Sequence, residues 1–463
     1  MNRVFGGFTH IHFVGIGGIG MSGIAEVLKN MGFVVSGSDI ASNSNTERLK
    51  SMGVNVYYGH KAENINNVDV IVYTSAAAKD NPEIMAAKEN HIPVISRGEM
   101  LAELMRLKYA VAVAGSHGKT TTTSMMAEIV QAAKLDPTIL IGGKLNSTHN
   151  NAALGRSNIM VAEADESDRS FLMLYPSIAV ITNIDHEHME NYRDFDDVKS
   201  SFAKFANRVP FYGCCVVCID NDNVADIIPL IEKRMITYGI KAQADIRAIN
   251  IVKEGFGVSF DVLRNDTLLG RISLKLPGDH IVLNALAATA AALEMSIPFS
   301  VISETLSGFG GVQRRMSKRY EDEKFMVLDD YGHHPTEIAI TLKAIREAMP
   351  GRKIAVIFQP HRYSRTQNLM GEFAKCFMDA DKLFVTDIYA ASEQPIDGVN
   401  SEVLIREIKN YGFRDITYLP KWKDFFGYID DLDGEESVII TFGAGSITNF
   451  SYEISQYLES KRG

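Results

Sequence analysis

The chain has 463 residues, 46% of them hydrophobic and 22% charged, with a formal net charge of −10. A single hydrophobic core stops growing at roughly 250–300 residues, so this length calls for about three domains. The acidic balance disfavours a general nucleic-acid binder or a protein held on anionic membranes, while leaving room for a local basic pocket that takes a small phosphorylated ligand.

No apolar run reaches the roughly 18 residues of a membrane span, and no charged-then-apolar leader opens the chain, so a cytoplasmic protein without membrane insertion is expected. Cys215 and Cys218 form a C-x-x-C, but they lie in the apolar run Cys214-Cys-Val-Val-Cys-Ile219 with no second Cys or His pair nearby. A buried core strand is expected there rather than a metal or redox site.

The first predicted strand is His10-Ile-His-Phe-Val14. Gly15-Ile-Gly17-Gly18-Ile-Gly20 follows, then a helix to about Met31 and a second strand ending at Asp39. A Gly-x-Gly-x-x-Gly turn between strand and helix, with an acid about 20 residues on, is a dinucleotide fingerprint in its expected context. The glycines let backbone approach a pyrophosphate, and Asp39 is placed to accept from a ribose hydroxyl or a base N–H. The motif alone does not say which nucleotide binds. Further strands are expected at Val68–Thr74 and Val94–Ile95. The second exits through Ser96-Arg97-Gly98, read as a loop that offers Arg97 to a phosphate.

The next block centres on Val111-Ala-Val-Ala-Gly115-Ser116-His117-Gly118-Lys119-Thr120-Thr121. An apolar strand, a glycine turn and a helix with Lys-Thr at its mouth make a phosphate cradle. Turn amides and the helix N-terminus face the anion, Lys119 reaches the β/γ-phosphates, and the Thr120 hydroxyl suits Mg²⁺. Val113 stands where the usual P-loop has its first glycine, so the match is Gly-x-x-Gly-Lys-Thr. Two later strands end in Glu163-Ala-Asp-Glu-Ser-Asp168 and in Asn183-Ile-Asp-His-Glu-His188. Their acids and imidazoles are expected at the carboxyl ends of adjacent parallel strands, where one acid and one histidine position Mg²⁺ near the phosphates. Residues 245–276 alternate in short runs, an antiparallel patch. A small-residue helix, Val282–Leu293, carries Asn284 on its first turn.

The third block starts near Ser317 and alternates strand and helix, a second open parallel sheet. Its strand exits carry Asp330-Tyr331-Gly-His333-His334 and Gln359-Pro-His-Arg362-Tyr-Ser-Arg365. Two arginines three apart suit a carboxylate or phosphate clamp. The expected fold is α/β in three domains. Residues 1–107 form a Rossmann-like domain and residues 108–316 a P-loop ATPase domain with an antiparallel patch. Residues 317–463 form a second Rossmann-like domain.

Gly115-Ser-His-Gly-Lys-Thr-Thr, Glu163-Ala-Asp-Glu-Ser-Asp, Asn183 with His188, Gly278-Asp-His280 with Asn284, Arg314-Arg315 and Asp330-Tyr-Gly-His-His-Pro, in this order over essentially the whole chain, resemble the Mur ligases of peptidoglycan synthesis. Gly15-Ile-Gly-Gly-Ile-Gly-Met-Ser-Gly and Gln359-Pro-His-Arg-Tyr-Ser-Arg are similar to the branch that adds the first amino acid. The resemblance implies an ATP-dependent ligase with two Mg²⁺ sites, a monomer or homodimer. It implies activation of the lactyl carboxylate of UDP-N-acetylmuramate as an acyl phosphate, which the L-alanine amine then attacks.

It also implies residue roles. Gly115, Ser116, His117, Gly118, Lys119, Thr120, Thr121, Asn284, Arg315 and Asp330 take ATP. Thr120, Glu163 and His188 hold metal. Gly15, Gly17, Gly18, Gly20, Asp39 and Arg97 take the UDP-sugar. Tyr331, His333, Arg362 and Arg365 take the amino acid. Lys119, His188, Glu163, His333 and Arg365 are the residues expected to carry catalysis.

Departures from the family pattern are Ile281, where Asn is usual, and Glu187, where Asp is usual. Phe202 and Ala203 stand where other members carry a modified lysine, with Lys204 only adjacent. A ligase that reattaches a recycled tripeptide to the same UDP-sugar acid, an NAD-dependent oxidoreductase and a non-catalytic nucleotide-binding regulator remain open at this level.

Overall fold

A computed structural model describes residues 5–74, 76–78, 80–142, 152–391, 393–431 and 435–462. The chain divides into two compact units. One comprises Met1–Asn250, Asp261–Ile272 and Leu283–Phe309, the other Ile251–Phe260, Ser273–Val282 and Gly310–Gly463.

In the first unit, β1 (His10–Val14), β2 (Val34–Asp39), β3 (Asn55–Tyr58), β4 (Val70–Tyr73) and β5 (Val94–Ser96) form a parallel sheet in the order β3-β2-β1-β4-β5. The order reverses at β1, so the Gly15–Gly20 turn leaves the sheet at its topological switch point, where ligands bind in open α/β sheets. β1 alternates faces. Ile11 and Phe13 are fully buried in the main core, each worth roughly 1.5–3 kcal/mol. His10, His12 and Val14 face the other way, as the two-residue period of a strand requires.

The next strands are β6 (Tyr109–Ala114), β7 (Thr138–Leu140), β8 (Ala152–Ala153), β9 (Ile159–Glu163), β10 (Ile178–Ile181), β11 (Cys214–Cys218), β12 (Met235–Gly239), β13 (Ile246–Glu254), β14 (Gly257–Arg264) and β15 (Thr267–Leu274). Their order is β15-β14-β13-β12-β11-β10-β6-β9-β7-β8. β14 and β15 are neighbours joined only by Asn265 and Asp266, both at positive φ, which is the predicted antiparallel patch. One expectation is corrected: β9 and β10 are not adjacent, because β6 pairs with both. The acidic and histidine-bearing exits therefore stand on either side of the Lys119 turn. Cys214, Cys215 and Cys218 are buried in β11 as expected, and burial pushes their thiols up to about 12, 12 and 11.

The second unit holds β16 (Ser317–Glu321), β17 (Phe325–Asp330), β18 (Lys353–Phe358), β19 (Lys382–Val385), β20 (Ile416–Tyr418) and β21 (Ser437–Phe442), ordered β16-β17-β21-β18-β19-β20. Here the purely parallel expectation is corrected, since β16 runs antiparallel to β17 at the edge. An antiparallel edge strand needs only a short turn, here about Asp322–Lys324, rather than a helical crossover. The helix Pro335–Ala348 starts with Pro at its first position, where the missing N–H costs nothing. Among the described residues no helix is long and apolar enough to cross a membrane.

Candidate active site

At the first glycine turn, Gly15 has φ +83 and lies so close to Thr74 that a Cβ would meet its methyl at 2.6 Å. Only glycine takes both constraints. The backbone N–H groups of Gly15 and Ile16 donate to the Ser38 carbonyl at 2.8 and 3.0 Å. Gly17 N–H donates to Asp39 Oδ2 at 2.8 Å. Asp39 thus spends one oxygen on the turn itself, where the sequence reading gave it wholly to a ligand. Gly18 caps the helix Ile19–Asn30.

Arg97 is not in a loop. It is the first residue of the helix Arg97–Met105, because Ser96 and Glu99 close a capping box that begins the helix there. Its guanidinium lies beside Gly20, 3.1 Å from where a Cβ would stand, and donates to Asp165 at 2.8 Å and Asp168 at 3.5 Å.

The second turn is built between β6 and the exit of β10. Gly115 has φ +142 and Gly118 φ +80. A Cβ on Gly115 would stand 2.0 Å from Thr182 Oγ1, and one on Gly118 2.5 Å from Asn284 Oδ1. Asn284, buried, therefore lies directly against the cradle. Ser116 N–H donates to the Asn183 carbonyl at 3.1 Å. His117 N–H donates to Asn183 Oδ1 at 2.8 Å, and Asn183 Nδ2 returns a bond to the His117 carbonyl at 2.9 Å. His117 Nε2 lies 2.9 Å from Asp185 Oδ2. The helix begins at Lys119, so Thr120 lies on its first turn, and Thr121 is buried behind it.

Lys119 Nζ donates to the carbonyls of Gly115 at 2.6 Å and Ser116 at 3.1 Å, and to Glu166 Oε1 at 2.7 Å. The ammonium is folded over its own turn and neutralised by a buried acid. Burial pushes the Glu166 carboxyl up to about 7, with Lys119 pulling the other way. The Lys119 ammonium is held above its ordinary range: burial opposes the charge, but Glu166 and Glu187 outweigh it.

Glu166, Glu187 and His188 each offer a ligand atom, all within 4.8 Å of one another. His188 sits at φ +56, with its Nε2 3.9 Å from Glu187 Oε1 and its Nδ1 3.7 Å from Glu190 Oε1. Burial opposes the charged imidazole, yet Glu190, Glu187 and Glu166 raise its pKa overall. Two carboxylates and an imidazole fit a hard or borderline divalent cation such as Mg²⁺ or Mn²⁺. Glu163 stands apart from this set. It ends β9 opposite Val113, with its Oε2 packed over Gly142, where a Cβ would lie 2.2 Å away. Phe202 and Ala203 are buried in the helix Phe195–Ala206, and Lys204 is exposed.

In the second unit, Asp330 is buried at the end of β17 and accepts from the N–H groups of Met316 and Gly332, both at 2.7 Å. Burial raises its carboxyl to about 6 against the pull of Arg315. Arg314 and Arg315 stack on the Tyr331 ring at 4.7 and 5.4 Å, and Arg315 pairs with Glu337 at 3.1 Å. His333 packs edge-on to Tyr331 with ring centres 5.3 Å apart.

Arg362 has φ +71 and caps the helix Tyr363–Asn368 that carries Arg365. Arg365 Nη1 donates to His361 Nδ1 at 3.2 Å. His361 stacks on Tyr389 at 5.5 Å and stands 5.9 Å from His333. Burial, together with His333, Arg365, Arg362 and Arg314, brings His361 down to about 3. It is a neutral ring whose Nδ1 lone pair is taken by Arg365, so the proton resides on Nε2. After β21, Gln359 Oε1 accepts the Ile447 N–H at 3.1 Å, at the start of the helix Ile447–Arg462.

The structure thus gathers the first-turn glycines with Asp39 and Arg97. It gathers Gly115–Thr121 with Asn284 and, separately, Arg315, Asp330, Tyr331, His333, Arg362 and Arg365. Sequence reasoning quoted Asn183 and Glu187 without giving either a role, and gave none to Asp185, which with Asn183 braces the second turn, to Glu166 singly or to His361. Asn183 and Asp185 had a signal in their place at a strand exit; the others sit in runs of like residues where spacing does not say which side chain turns inward.

Family profiles match successive stretches of the chain. Residues 10–109 match the profile described as Mur ligase family, catalytic domain; residues 113–292 match the Mur ligase middle domain; residues 314–445 match the Mur ligase, glutamate ligase domain. The UDP-N-acetylmuramate–L-alanine ligase of Trichlorobacter lovleyi is 53% identical over 445 residues, 96% of this chain and 98% of that protein. Its namesake in Myxococcus xanthus is 52% identical over 98% of this chain and 96% of its own length. Among solved structures, the UDP-N-acetylmuramate–alanine ligase of Thermotoga maritima superposes with a TM-score of 0.81 at 30% identity, covering 98% of this chain and 99% of that one. A murein peptide ligase from Psychrobacter arcticus shares the fold, with a TM-score of 0.71 at 24% identity over 97% of this chain and 98% of its own. The chain belongs to the Mur ligase family.

Proposed function

We propose that this protein joins L-alanine to the lactyl carboxylate of UDP-N-acetylmuramate at the expense of ATP, through an acyl phosphate. The observation that carries the reading is the Lys119 turn braced by Asn183 and flanked by Glu166, Glu187 and His188. It occurs in a chain about half identical, end to end, to ligases named for that substrate pair. The domain boundaries proposed are 1–107, 108–316 and 317–463, and the compartment is the cytoplasm. The protein acts as a monomer or homodimer.

The phosphates of ATP lie along the Gly115–Thr121 amides, where the helix N-terminus favours negative charge. Lys119 leaves Glu166 for them, and Thr120 stands beside it on the first helical turn. Asn284, against Gly118, Arg315 and Asp330 complete the nucleotide contacts. The first glycine turn, Asp39 and Arg97 receive the UDP-sugar. Thr120, with Glu163 and His188, would hold Mg²⁺ at two sites, to which Glu166 and Glu187 are added as donors. Bound there, the metal supplies positive charge that eases the approach of two anions. Lys119 does the same from the protein side and holds the reacting groups in line.

At the amino-acid end, Arg362 and Arg365 clamp the L-alanine carboxylate, beside Tyr331 and His333. Arg365 is already oriented by His361, and planar bidentate pairing is what guanidinium offers a carboxylate.

The experiment is phosphate release with ATP, Mg²⁺ and UDP-N-acetylmuramate, with and without L-alanine. Release that requires all four components is expected. Release with a murein tripeptide but not with L-alanine would move the protein to peptide recycling. No release with either would overturn the ligase reading.

A further inference from the structure

The two segments that carry the candidate metal donors leave the sheet apart. Glu166 follows β9, Glu187 and His188 follow β10, and β6 pairs with both strands and separates them. Two strand spacings are roughly 10 Å, yet the three donor atoms lie within 4.8 Å of one another. The ladder therefore does not set how closely the two exits approach. Glu166 gives Oε1 to Lys119, and its Oε2 is buried with no hydrogen-bond partner among the described residues. A carboxylate oxygen in that condition is costly unless a cation takes it, so the donor set fits a divalent ion.

Hydrogen bonds between residues 166–169 and 191–192 cross the gap. Tyr192 Oη donates to the Glu166 carbonyl at 2.6 Å. The same carbonyl accepts the Arg169 N–H at 3.1 Å, closing the turn Glu166–Arg169, so Tyr192 fastens that turn as a whole. Asn191 Nδ2 donates to the Ser167 carbonyl at 2.7 Å, and the Asn191 carbonyl accepts from Arg169 Nη1 at 3.5 Å. On the other side of the gap, His188 and Tyr192 flank one short turn, Met189–Asn191. Its bonds run from the Asn191 N–H to the His188 carbonyl at 2.9 Å and from the Tyr192 N–H to the Met189 carbonyl at 3.3 Å.

A carbonyl only accepts, so the single hydrogen of the phenol is spent on Glu166. Burial and the neighbouring Glu166 carboxylate hold the phenol well above its ordinary range, which keeps it a donor at neutral pH. The Tyr192 ring is 7% exposed, and the Arg169 guanidinium stands over it at 4.9 Å. Arg169 is fixed in turn by the helix Phe195–Ala206. Its Nη1 and Nη2 donate to Asp197 at 2.7 and 3.3 Å, and Nη2 to Ser201 Oγ at 3.3 Å. Resting on the assignment of Glu166, Glu187 and His188 as metal donors, we propose that Tyr192 is a positioning residue for the metal. Its hydroxyl joins the Glu166 turn to the His188 turn and sets the gap between their donors, while Arg169 and Asp197 fix its ring.

The test is Mn²⁺ binding to the full chain, read from the loss of the free-ion electron paramagnetic resonance signal well below the unfolding temperature. Wild type is expected to bind Mn²⁺, and Glu187→Gln to weaken that binding. Tyr192→Phe keeps the ring and removes only the hydroxyl. It is expected to weaken Mn²⁺ roughly tenfold, the low end of what a residue supporting a metal ligand contributes. The Mg²⁺ concentration for half-maximal turnover should rise by a similar factor, while the L-alanine requirement and UDP-N-acetylmuramate affinity stay within about twofold. In a Glu166→Gln background, Tyr192→Phe should cost much less than it does alone, because it acts through Glu166. A folded Tyr192→Phe that binds Mn²⁺ as wild type does, or that loses the same factor in the Glu166→Gln background, overturns the proposal. If Tyr192→Phe does not fold, Asn191→Ala at an exposed position removes the neighbouring bond to Ser167 and should weaken Mn²⁺ about threefold; unchanged affinity there overturns the proposal equally. Wild type that binds no Mn²⁺, or binding that Glu187→Gln leaves unchanged, overturns the donor assignment and this proposal with it.

Discussion

Lys119 and Glu166 show how one residue is prepared for two states. The ammonium has three donors, and the two turn carbonyls and Glu166 take all of them, so a nucleotide must displace a buried acid to use it. Lys119→Ala is expected to lower turnover by at least ~10²–10³-fold, the cost of removing a preorganised charge from a transition state. UDP-N-acetylmuramate affinity should stay nearly unchanged, because the first glycine turn shares no hydrogen bond with Lys119. Single-turnover phosphate release beside calorimetry of the UDP-sugar checks both halves. Arg365→Ala is expected to raise the L-alanine requirement by roughly tenfold or more, leaving the ATP requirement alone; initial rates against each substrate decide it.

The Lys119 turn was legible because strand, glycines, Lys-Thr and helix agree on one reading. Glu166 was not. Four acids in six residues, Glu163–Asp168, look alike in a sequence, and only the path after β9 turns Glu166 under Lys119 while Asp165 goes to Arg97. His361 was hidden for a related reason. One histidine between proline and arginine reads as loop until Tyr389 is seen stacked on it.

The helix Arg97–Met105 and the short turn Ser170–Met173 touch through a glycine. A Cβ on Gly98 would stand 2.4 Å from the Ser170 Cβ, a distance no packing tolerates. Gly98→Ala is expected to cost about 1–3 kcal/mol and to weaken UDP-sugar affinity, since Arg97 moves with the helix. Ser170→Gly in the same chain should restore most of both, read as a double-mutant cycle on unfolding midpoint and affinity. Full additivity would show that the contact is not the cause.

Helix and strand positions were legible from apolar periodicity and glycine turns, and most boundaries fell within a few residues. Strand order was not. β6 lies between β9 and β10 although the chain visits β7, β8 and β9 first, a consequence of crossover packing that no local pattern encodes. The antiparallel β16 escaped notice for another reason: only a short turn joins it to β17, without the helix that marks the crossovers around it.

Acid is expected to destabilise the chain through several groups at once. Glu83 folds with its carboxyl near 2 against an ordinary value of 4.5. A carboxyl lowered on folding contributes stability above about pH 4.5, and that contribution, about 3 kcal/mol at most, is lost as pH falls toward 2. Burial and nearby cations lower His361 to about 3, and burial lowers His280 to about 4. The fold prefers both rings neutral, so protonation of the unfolded chain below about pH 6.5 pulls in the same direction. Thermal unfolding at constant ionic strength should show the midpoint falling most steeply below about pH 4.5, and a Glu83→Gln chain should lose much of that fall. Glu166 and Asp330, raised on folding to about 7 and about 6, act with the opposite sign: the stability they cost sets in as pH rises from about 4 to 7 and offsets the two imidazoles there.

The four cysteines give the chain its own clock for opening. Cys214, Cys215 and Cys218 are buried in the first unit and Cys376 in the second, and burial keeps all four as unreactive thiols at neutral pH. A thiol reagent therefore modifies nothing until a unit unfolds, and the peptide that is labelled tells which one did. Pulse labelling along a urea series, read by mass spectrometry, would date the two openings separately without a single introduced probe. Adding ATP or the UDP-sugar would then show, unit by unit, where each ligand's binding energy is stored.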